Sequence, residues 1–396
     1  MDALSPAPSA PSAHKNFAFW NVNGLIPRIS TSSNLIKEFL QLHSPSILFL
    51  SEVRMVSELT NQAVPSMKDK KCQEDKRAYD SAFSRTGPFS DYTVHGLSLH
   101  PSKRYAGTLL AIKNGTEPPI NVTYTIPGSS AASSTTALQP PPPTKTKTKS
   151  IASFFAPKNP NPNPNPKKRS SPSSSSQPHN PDGRVILSEF SSFYILHVYA
   201  PNNGSTPTSW SRRLTWDASI QSFFSTHKSG YPSSLNSTIL KPIFYCGDLN
   251  VTPSPRLDTS HPSWMSKQFL KSGSPENSGQ PGCTPGEVSR YNSLISSSNL
   301  IDVYRVFNPD PNPSDDTSLN SPFLDLEANI FTWRGSPGKD GVKEGGRYYR
   351  KGMRIDLLLV NEDCVGMFEE VCVTAGGEDN TGREFCGSDH CPVVVR

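Results

Sequence analysis

Residues 121–182 cannot help to build a core, and the rest of the chain has to be read around them. The stretch holds a proline run (Pro140–Pro143), a Thr/Lys alternation, Asn-Pro repeats from Asn159 to Pro166 and a serine tract at Ser173–Ser176. Such a composition buries too little apolar surface to offset the entropy of ordering, and it predicts disorder. Strand-like segments lie on both sides. The stretch therefore reads as an insertion into one domain made of residues 14–120 and 183–396, behind a disordered N-terminus of residues 1–13. The 39 prolines and the 34% apolar content of the 396 residues fit a real core diluted in this way.

The insertion also accounts for the basicity. Seven Lys and Arg residues against Asp182 give it +6, which leaves −1 for the remainder of a chain whose formal net charge is +5. The whole-chain charge is thus no evidence for a nucleic-acid-binding core, and such evidence must be local. Aliphatic runs such as Ile47-Leu48-Phe49-Leu50 are far too short to span a bilayer. Met1 to His14 has neither the apolar segment of a secretory signal nor the arginines of a mitochondrial presequence. The seven cysteines are odd in number and scattered without Cys-x-x-Cys spacing, which predicts a reduced intracellular protein with buried thiols. Cys386, His390 and Cys391 alone are a poor zinc set.

Residues 16–22 read as a strand, followed by a helix capped at Ser32 or Ser33 with Leu35/Phe39 and Ile36/Leu40 at helical spacing. Further strands are expected at 47–50, 105–113, 184–190, 193–199, 243–246, 354–360, 371–374 and 393–395, and helices at 210–224 and 288–298. Ser191-Ser192 predicts a hairpin. Many strands, several helices and no strict alternation predict an α/β layered sandwich.

Six polar pieces punctuate these segments: Trp20-Asn21-Val22-Asn23-Gly24, Ser51-Glu52, Tyr199-Ala200-Pro201-Asn202, Gly247-Asp248-Leu249-Asn250, Arg354-Ile355-Asp356 and Ser388-Asp389-His390. Polar side chains at strand ends converge on one rim of a sandwich. Carboxylates for a hard cation, amides that bind an anion without adding charge, and an Asp-paired imidazole are the parts of a phosphodiester-cleaving site.

The order and spacing of these pieces, with Asp182-Gly183-Arg184-Val185-Ile186 and Arg213-Leu214-Thr215-Trp216-Asp217, resemble the exonuclease III-like apurinic/apyrimidinic endonucleases of the endonuclease/exonuclease/phosphatase superfamily. The resemblance covers about residues 14–120 and 183–396. It implies a four-layer α/β sandwich with two mixed sheets, and a Mg²⁺-dependent (or Mn²⁺-dependent) DNA repair nuclease that cuts 5′ to abasic sites, with 3′-phosphodiesterase or 3′→5′ exonuclease activity in addition. Glu52 resembles the principal metal ligand and Asn23 and Asp389 supplementary ones, with Asp248, Asn250 and His390 also within reach of metal. Asp248 resembles the group that activates the attacking water, Asn21 and Asn250 the amides that position it and the phosphate, and Asp356 with His390 the pair that keeps an imidazole oriented and protonated. Tyr199 and Asn202 resemble phosphate contacts, and Trp333 the wall of the abasic-sugar pocket. Met353 stands where relatives often carry Trp, and Ser205 where some carry an inserting Arg. The basic loop with Arg347, Arg350, Lys351 and Arg354 before Asp356 predicts a DNA-backbone contact.

Within the insertion, Ile151, Phe154 and Phe155 recur at i, i+3, i+4 and resemble a sliding-clamp-binding box, with Thr148 in place of its usual leading Gln. Pro166-Lys167-Lys168-Arg169 resembles a nuclear import signal. The expectation is a monomer that binds abasic DNA and the clamp and works in the nucleus, with no membrane partner. The competing expectations are an RNA 3′-end nuclease, an inositol-lipid phosphatase of the same superfamily, or a clamp-binding adaptor without activity. The lipid enzymes carry a Trp/Cys-Asp-Arg motif where this chain has Arg354-Ile355-Asp356.

Overall fold

The computed structural model describes residues 16–55, 70–100, 103–127, 182–260, 274–309, 330–335, 351–374 and 385–396. In chain order the first sheet's elements are β1 (Phe17–Asn21), helix α1 (Leu25–His43), β2 (Ile47–Ser51), helix α2 (Lys70–Ala82), β3 (Tyr92–Ser98) and β4 (Thr108–Lys113). Next come β5 (Asn121–Thr123), β6 (Val185–Glu189), β7 (Tyr194–Tyr199), helix α3 (Pro207–Thr226), a ribbon of β8 (Tyr231–Pro232) and β9 (Leu240–Lys241), and β10 (Ile243–Asp248). Helix α4 (Pro285–Ser298), β11 (Leu300–Asp302), helix α5 (Val303–Phe307), β12 (Asp356–Asn361), β13 (Val371–Val373) and β14 (Val393–Val395) complete the chain.

Two six-stranded sheets result, in the orders β13-β14-β1-β2-β4-β3 and β11-β12-β10-β7-β6-β5. In both, one central pair is parallel (β1/β2 and β7/β10) and the other pairs are antiparallel. The sheets face each other through a buried, largely apolar layer in which Phe49 stacks on His197 at 4.7 Å and Phe193 on Phe244 at 4.8 Å. Alternation along each strand sends the other set of side chains outward. On the second sheet these are Leu187, Leu196, Val198, Tyr245 and Leu357, which share a core with Trp216, Ile220, Phe223, Tyr291 and Leu294 of α3 and α4. On the first sheet α1 buries Ile36, Phe39 and Leu40. The four-layer α/β sandwich with two mixed sheets is what the sequence led us to expect.

Local chemistry explains the helix starts. Thr206 and Ser209 form a capping box ahead of Pro207 at the start of α3, and Thr284 and Glu287 do the same for α4 ahead of Pro285. The predicted cap of α1 at Ser32 or Ser33 is wrong. The helix begins at Leu25, and Ser32 is a kink inside it with φ −137°. Ser30 and Thr31 hydroxyls bond back to the carbonyls of Ile26 and Pro27 while the Ser32 hydroxyl leaves for Cys386, so residues that resemble a cap bend a helix already under way.

Two further expectations need correcting. Asn121–Thr123 is not part of the insertion; it pairs antiparallel with β6 as the edge strand of the second sheet. Asp182 likewise belongs to the folded domain, where it pairs with Arg184. The clamp-like residues Ile151, Phe154 and Phe155, the 166–169 basic run, and Arg347 and Arg350 of the basic loop lie outside the described residues.

Candidate active site

Five strands end on one rim, and their register decides which side chains meet. In the first sheet Asn21 is level with Ser51, so Glu52 follows where Asn21–Asn23 leave the sheet. In the second, Asp248 is level with both Tyr199 and Asp356. The two turns of the first sheet then run side by side: Val22 N–H donates to the Ser51 carbonyl at 3.0 Å and Gly24 N–H to the Glu52 carbonyl at 2.8 Å. Asn23, Glu52, Arg54 and Asn250 all have positive φ, between 46° and 57°. For Glu and Arg this region is uncommon and costs on the order of 1 kcal/mol, which the surrounding hydrogen bonds must overcome.

An amide ladder fixes the acids. The Asn21 side chain donates to Asp248 Oδ2 at 2.9 Å, and Asn250 N–H donates to Asp248 Oδ1 at 2.9 Å. Asn202 Nδ2 donates to Asn250 Oδ1 at 3.0 Å, while Asn250 Nδ2 donates to the Ala200 carbonyl at 2.9 Å. On the other side Asn23 Nδ2 donates to Asp389 Oδ1 at 2.7 Å. His390 Nδ1 meets Asp356 Oδ2 at 2.7 Å, and its Nε2 faces Asp248 Oδ2 at 3.9 Å. Glu52 pairs with Arg54 beside it. Residues up to 369 positions apart thus share one cup that draws on both sheets.

No family model matches the chain. A relative from Arabidopsis thaliana named DNA-(apurinic or apyrimidinic site) endonuclease is 29% identical over 389 residues, spanning 96% of this chain and 84% of the relative. One of the same name from Plasmodium berghei is 33% identical over 55% of this chain, but the match spans only 36% of that longer protein. Among solved structures the fold is shared with an AP endonuclease from Leishmania major at TM-score 0.55 and 16% identity, covering 99% of this chain and 90% of that one. It is also shared with a Neisseria 3′ phosphatase bound to a product DNA hairpin, at TM-score 0.54 and 16% identity, covering 96% and 98%.

The chain is similar to AP endonucleases along almost its whole length. It is a nuclease, as its relatives' names indicate, and the electrostatics of its cup follow from that chemistry. Burial, with the Asp356 charge adding to it, raises the Asp248 carboxyl to about 7, against the opposing pull of His390. Burial alone would strip the proton from His390, but the Asp356 carboxylate outweighs it and raises the imidazole to about 10. Burial also raises the Tyr199 phenol well above its usual range, with the Glu52 charge adding to the effect.

AP endonuclease-like nucleases depend on a divalent ion, and two donor groups here fit one. Glu52, Asp389 and the Asn23 amide offer hard oxygen ligands on adjoining turns, the chemistry Mg²⁺ prefers. Asp248, Asp356 and His390 place ligand atoms within 4.8 Å of one another. While protonated, His390 has no lone pair to give, so an ion in the second group competes with the imidazole proton.

Trp333 is half-buried above the cup's edge. It is bridged through its backbone to Met353 and to His390. Met353 packs against it, 3% exposed, with its sulfur 3.3 Å from that of Cys283; it is buried rather than facing outward. Lys351 is half-buried at the end of the basic loop. Arg354 is not a backbone contact for DNA. It is 1% exposed, locked to Asp258 at 2.7 Å and Asp302 at 2.6 Å.

Four positions to which the sequence assigned no role of their own hold the cup in place. Thr332 Oγ1 accepts from the N–H groups of Ile355 and Asp356, both at 3.0 Å. Ser388 Oγ donates to the Asn21 carbonyl at 2.7 Å. Trp20 Nε1 donates to the His390 carbonyl. Arg213 Nη1 donates to the carbonyls of Pro201 (3.0 Å) and Asn250 (3.1 Å), joining the two loops that carry Asn202 and Asn250. Trp20, Ser388 and Arg213 lie inside the quoted motifs and Thr332 beside Trp333, and that placement was the signal available.

Proposed function

We propose that the chain is a Mg²⁺-dependent endonuclease, able to use Mn²⁺, that hydrolyses the DNA backbone on the 5′ side of an abasic site. The observation that carries this reading is the placement of Asp248: buried, aimed by Asn21 and Asn250, and facing the imidazole of His390. A carboxylate so held takes the proton of an attacking water, while the imidazolium donates to a phosphate oxygen and spreads its growing charge. A bound divalent ion would add Lewis-acid stabilisation of that charge. Tyr199 and Asn202 flank the same cup and suit the other phosphate oxygens. Trimming of blocked 3′ ends, as 3′-phosphodiesterase or 3′→5′ exonuclease, uses the same groups. An abasic nucleotide is cheap to extrude because little stacking is lost, so a wall of Trp333 over Met353 suffices for selectivity.

The test is a duplex with one abasic analogue, incubated with Mg²⁺ or with chelator. Cutting 5′ to the lesion is expected with the metal only, and Asp248→Asn lowers it by about a thousandfold. Cleavage that persists in both the chelated and the Asp248→Asn samples overturns the reading. Faster turnover of poly(A) or of phosphoinositides assigns the site to another superfamily substrate.

We further propose that Ile151, Phe154 and Phe155 engage a sliding clamp, and that the protein works in the nucleus as a monomer. Loss of clamp binding in Phe154→Ala/Phe155→Ala, with cleavage intact, supports the first point. Nuclear exclusion after removal of residues 166–169 supports the second.

A further inference from the structure

The guanidinium of Arg184 is held between two tyrosine rings, 5.0 Å from the centre of Tyr105 and 4.6 Å from that of Tyr199. Its Nη1 donates to the Tyr199 carbonyl at 2.9 Å, its Nη2 to the Tyr105 hydroxyl at 2.5 Å and its Nε to Asp182 at 3.3 Å. The side chain is 1% exposed. From α3, Arg212 reaches the same Tyr105 hydroxyl at 3.2 Å and pairs with Asp182. Tyr105 in turn opens the loop that clasps the Glu52 turn: the Ala106 carbonyl accepts from Arg54 N–H at 2.8 Å and the Gly107 carbonyl from Val53 N–H at 3.2 Å. Ala106 and Gly107 both have positive φ, so this loop has a defined, constrained shape.

One buried cation therefore joins a strand-end residue of the second sheet, Tyr199, to the loop that fixes Glu52 on the first. We propose that Arg184 is a positioning residue: stacked between Tyr105 and Tyr199, it sets the separation of the Glu52 turn from the Tyr199 ring. The inference rests on the reading that both groups close on one phosphodiester. A flat, delocalised cation suits the task because it can stack on two rings while its edge donates in their plane. An ammonium group keeps the charge but loses that geometry. Misplacement of a reacting group by 1 Å costs on the order of a hundredfold in rate, so the distance set here is felt in turnover rather than in DNA binding.

The experiment compares Tyr105→Leu, Tyr105→Phe and Arg184→Lys with the full-length wild type on the abasic duplex, alongside thermal melts. Tyr105 is 40% exposed, so its replacement leaves the fold intact even where Arg184→Lys does not. Tyr105→Leu lowers kcat about tenfold with KM changed less than about threefold, and Tyr105→Phe, which keeps the ring, stays within about twofold of wild type. A Tyr105→Leu protein at wild-type kcat, a loss confined to KM, or a Tyr105→Phe protein as slow as Tyr105→Leu each overturns the proposal. A fluorotyrosine installed at position 199 gives a readout independent of cleavage. Its ¹⁹F resonance moves in Tyr105→Leu and returns in Tyr105→Phe; a resonance unmoved by Tyr105→Leu overturns the proposal. If the wild type leaves abasic DNA uncut, the functional reading falls, and this resonance still decides the role of Arg184.

Discussion

The indole N–H of Trp20 donates to the backbone carbonyl of His390 at 3.0 Å, across 370 positions of sequence. Both groups are buried, and the bond ties the end of β1 to the turn that presents the imidazole. Trp20→Phe keeps a ring in the core but leaves that carbonyl without its donor. We expect a loss of about 1–2 kcal/mol in stability, read from urea unfolding, and a fall in kcat larger than any change in KM.

Asp356 orients His390 through Nδ1, and Thr332 holds the Asp356 backbone. In Asp356→Asn the imidazole keeps at most a neutral amide partner and loses the charge that favours its proton. Turnover on the abasic duplex should fall by about two orders of magnitude, in the range seen when one preorganised electrostatic partner is removed. Gel-shift affinity for the same duplex should change much less.

Glu52 supplies the first carboxylate of the oxygen donor set. Glu52→Gln keeps the shape and removes the charge. Mn²⁺ binding measured by calorimetry in the absence of DNA should weaken by about tenfold or more. Unchanged Mn²⁺ affinity would move the ion to the Asp248, Asp356 and His390 group.

Far from the cup, Glu189 and Lys241 form a buried pair at 2.8 Å. Burial alone would raise the carboxyl of Glu189, but Lys241, Ser234 and Ser233 together hold it down to about 2, below its usual 4.5. A depressed acid stabilises the fold fully above its unfolded value and loses that contribution as the pH drops through its folded value. Denaturation midpoints should therefore decline between about pH 4.5 and pH 2, and Glu189→Gln should flatten that decline. Lys241→Met, which strands the charge, should cost about 3–5 kcal/mol at neutral pH.

Met353, read in the sequence as standing where Trp would be expected, is sealed against Cys283 and Gly282. Met353→Trp should not restore a relative-like pocket. Overpacking is expected to cost about 1–3 kcal/mol by thermal melt, without a gain in abasic selectivity.

The sequence revealed the cup's contents because strand-end motifs keep their residue types wherever the strands lie. Asn21, Asp248, Asn250 and Asp356–His390 meet as their order implied. What it hid were contacts set by register and packing. Arg354 looked like a surface cation of a basic loop, and only the fold brings Asp258 and Asp302 to it. Strand β3 escaped notice because its burial alternates weakly around His95 and Gly96, and α2 because its residues are mostly polar. Ser32 misled because the same hydroxyl chemistry serves a cap and a kink.

The strands that flank the long insertion, β5 and β6, are hydrogen-bonded partners, Thr123 lying opposite Leu187. The two places where extra chain leaves and rejoins the domain are therefore neighbours. Closing a loop between such points costs only about 0.6 kcal/mol for each doubling of its length. Chain of another length or sequence can therefore join these two strands while the cup stays as it is.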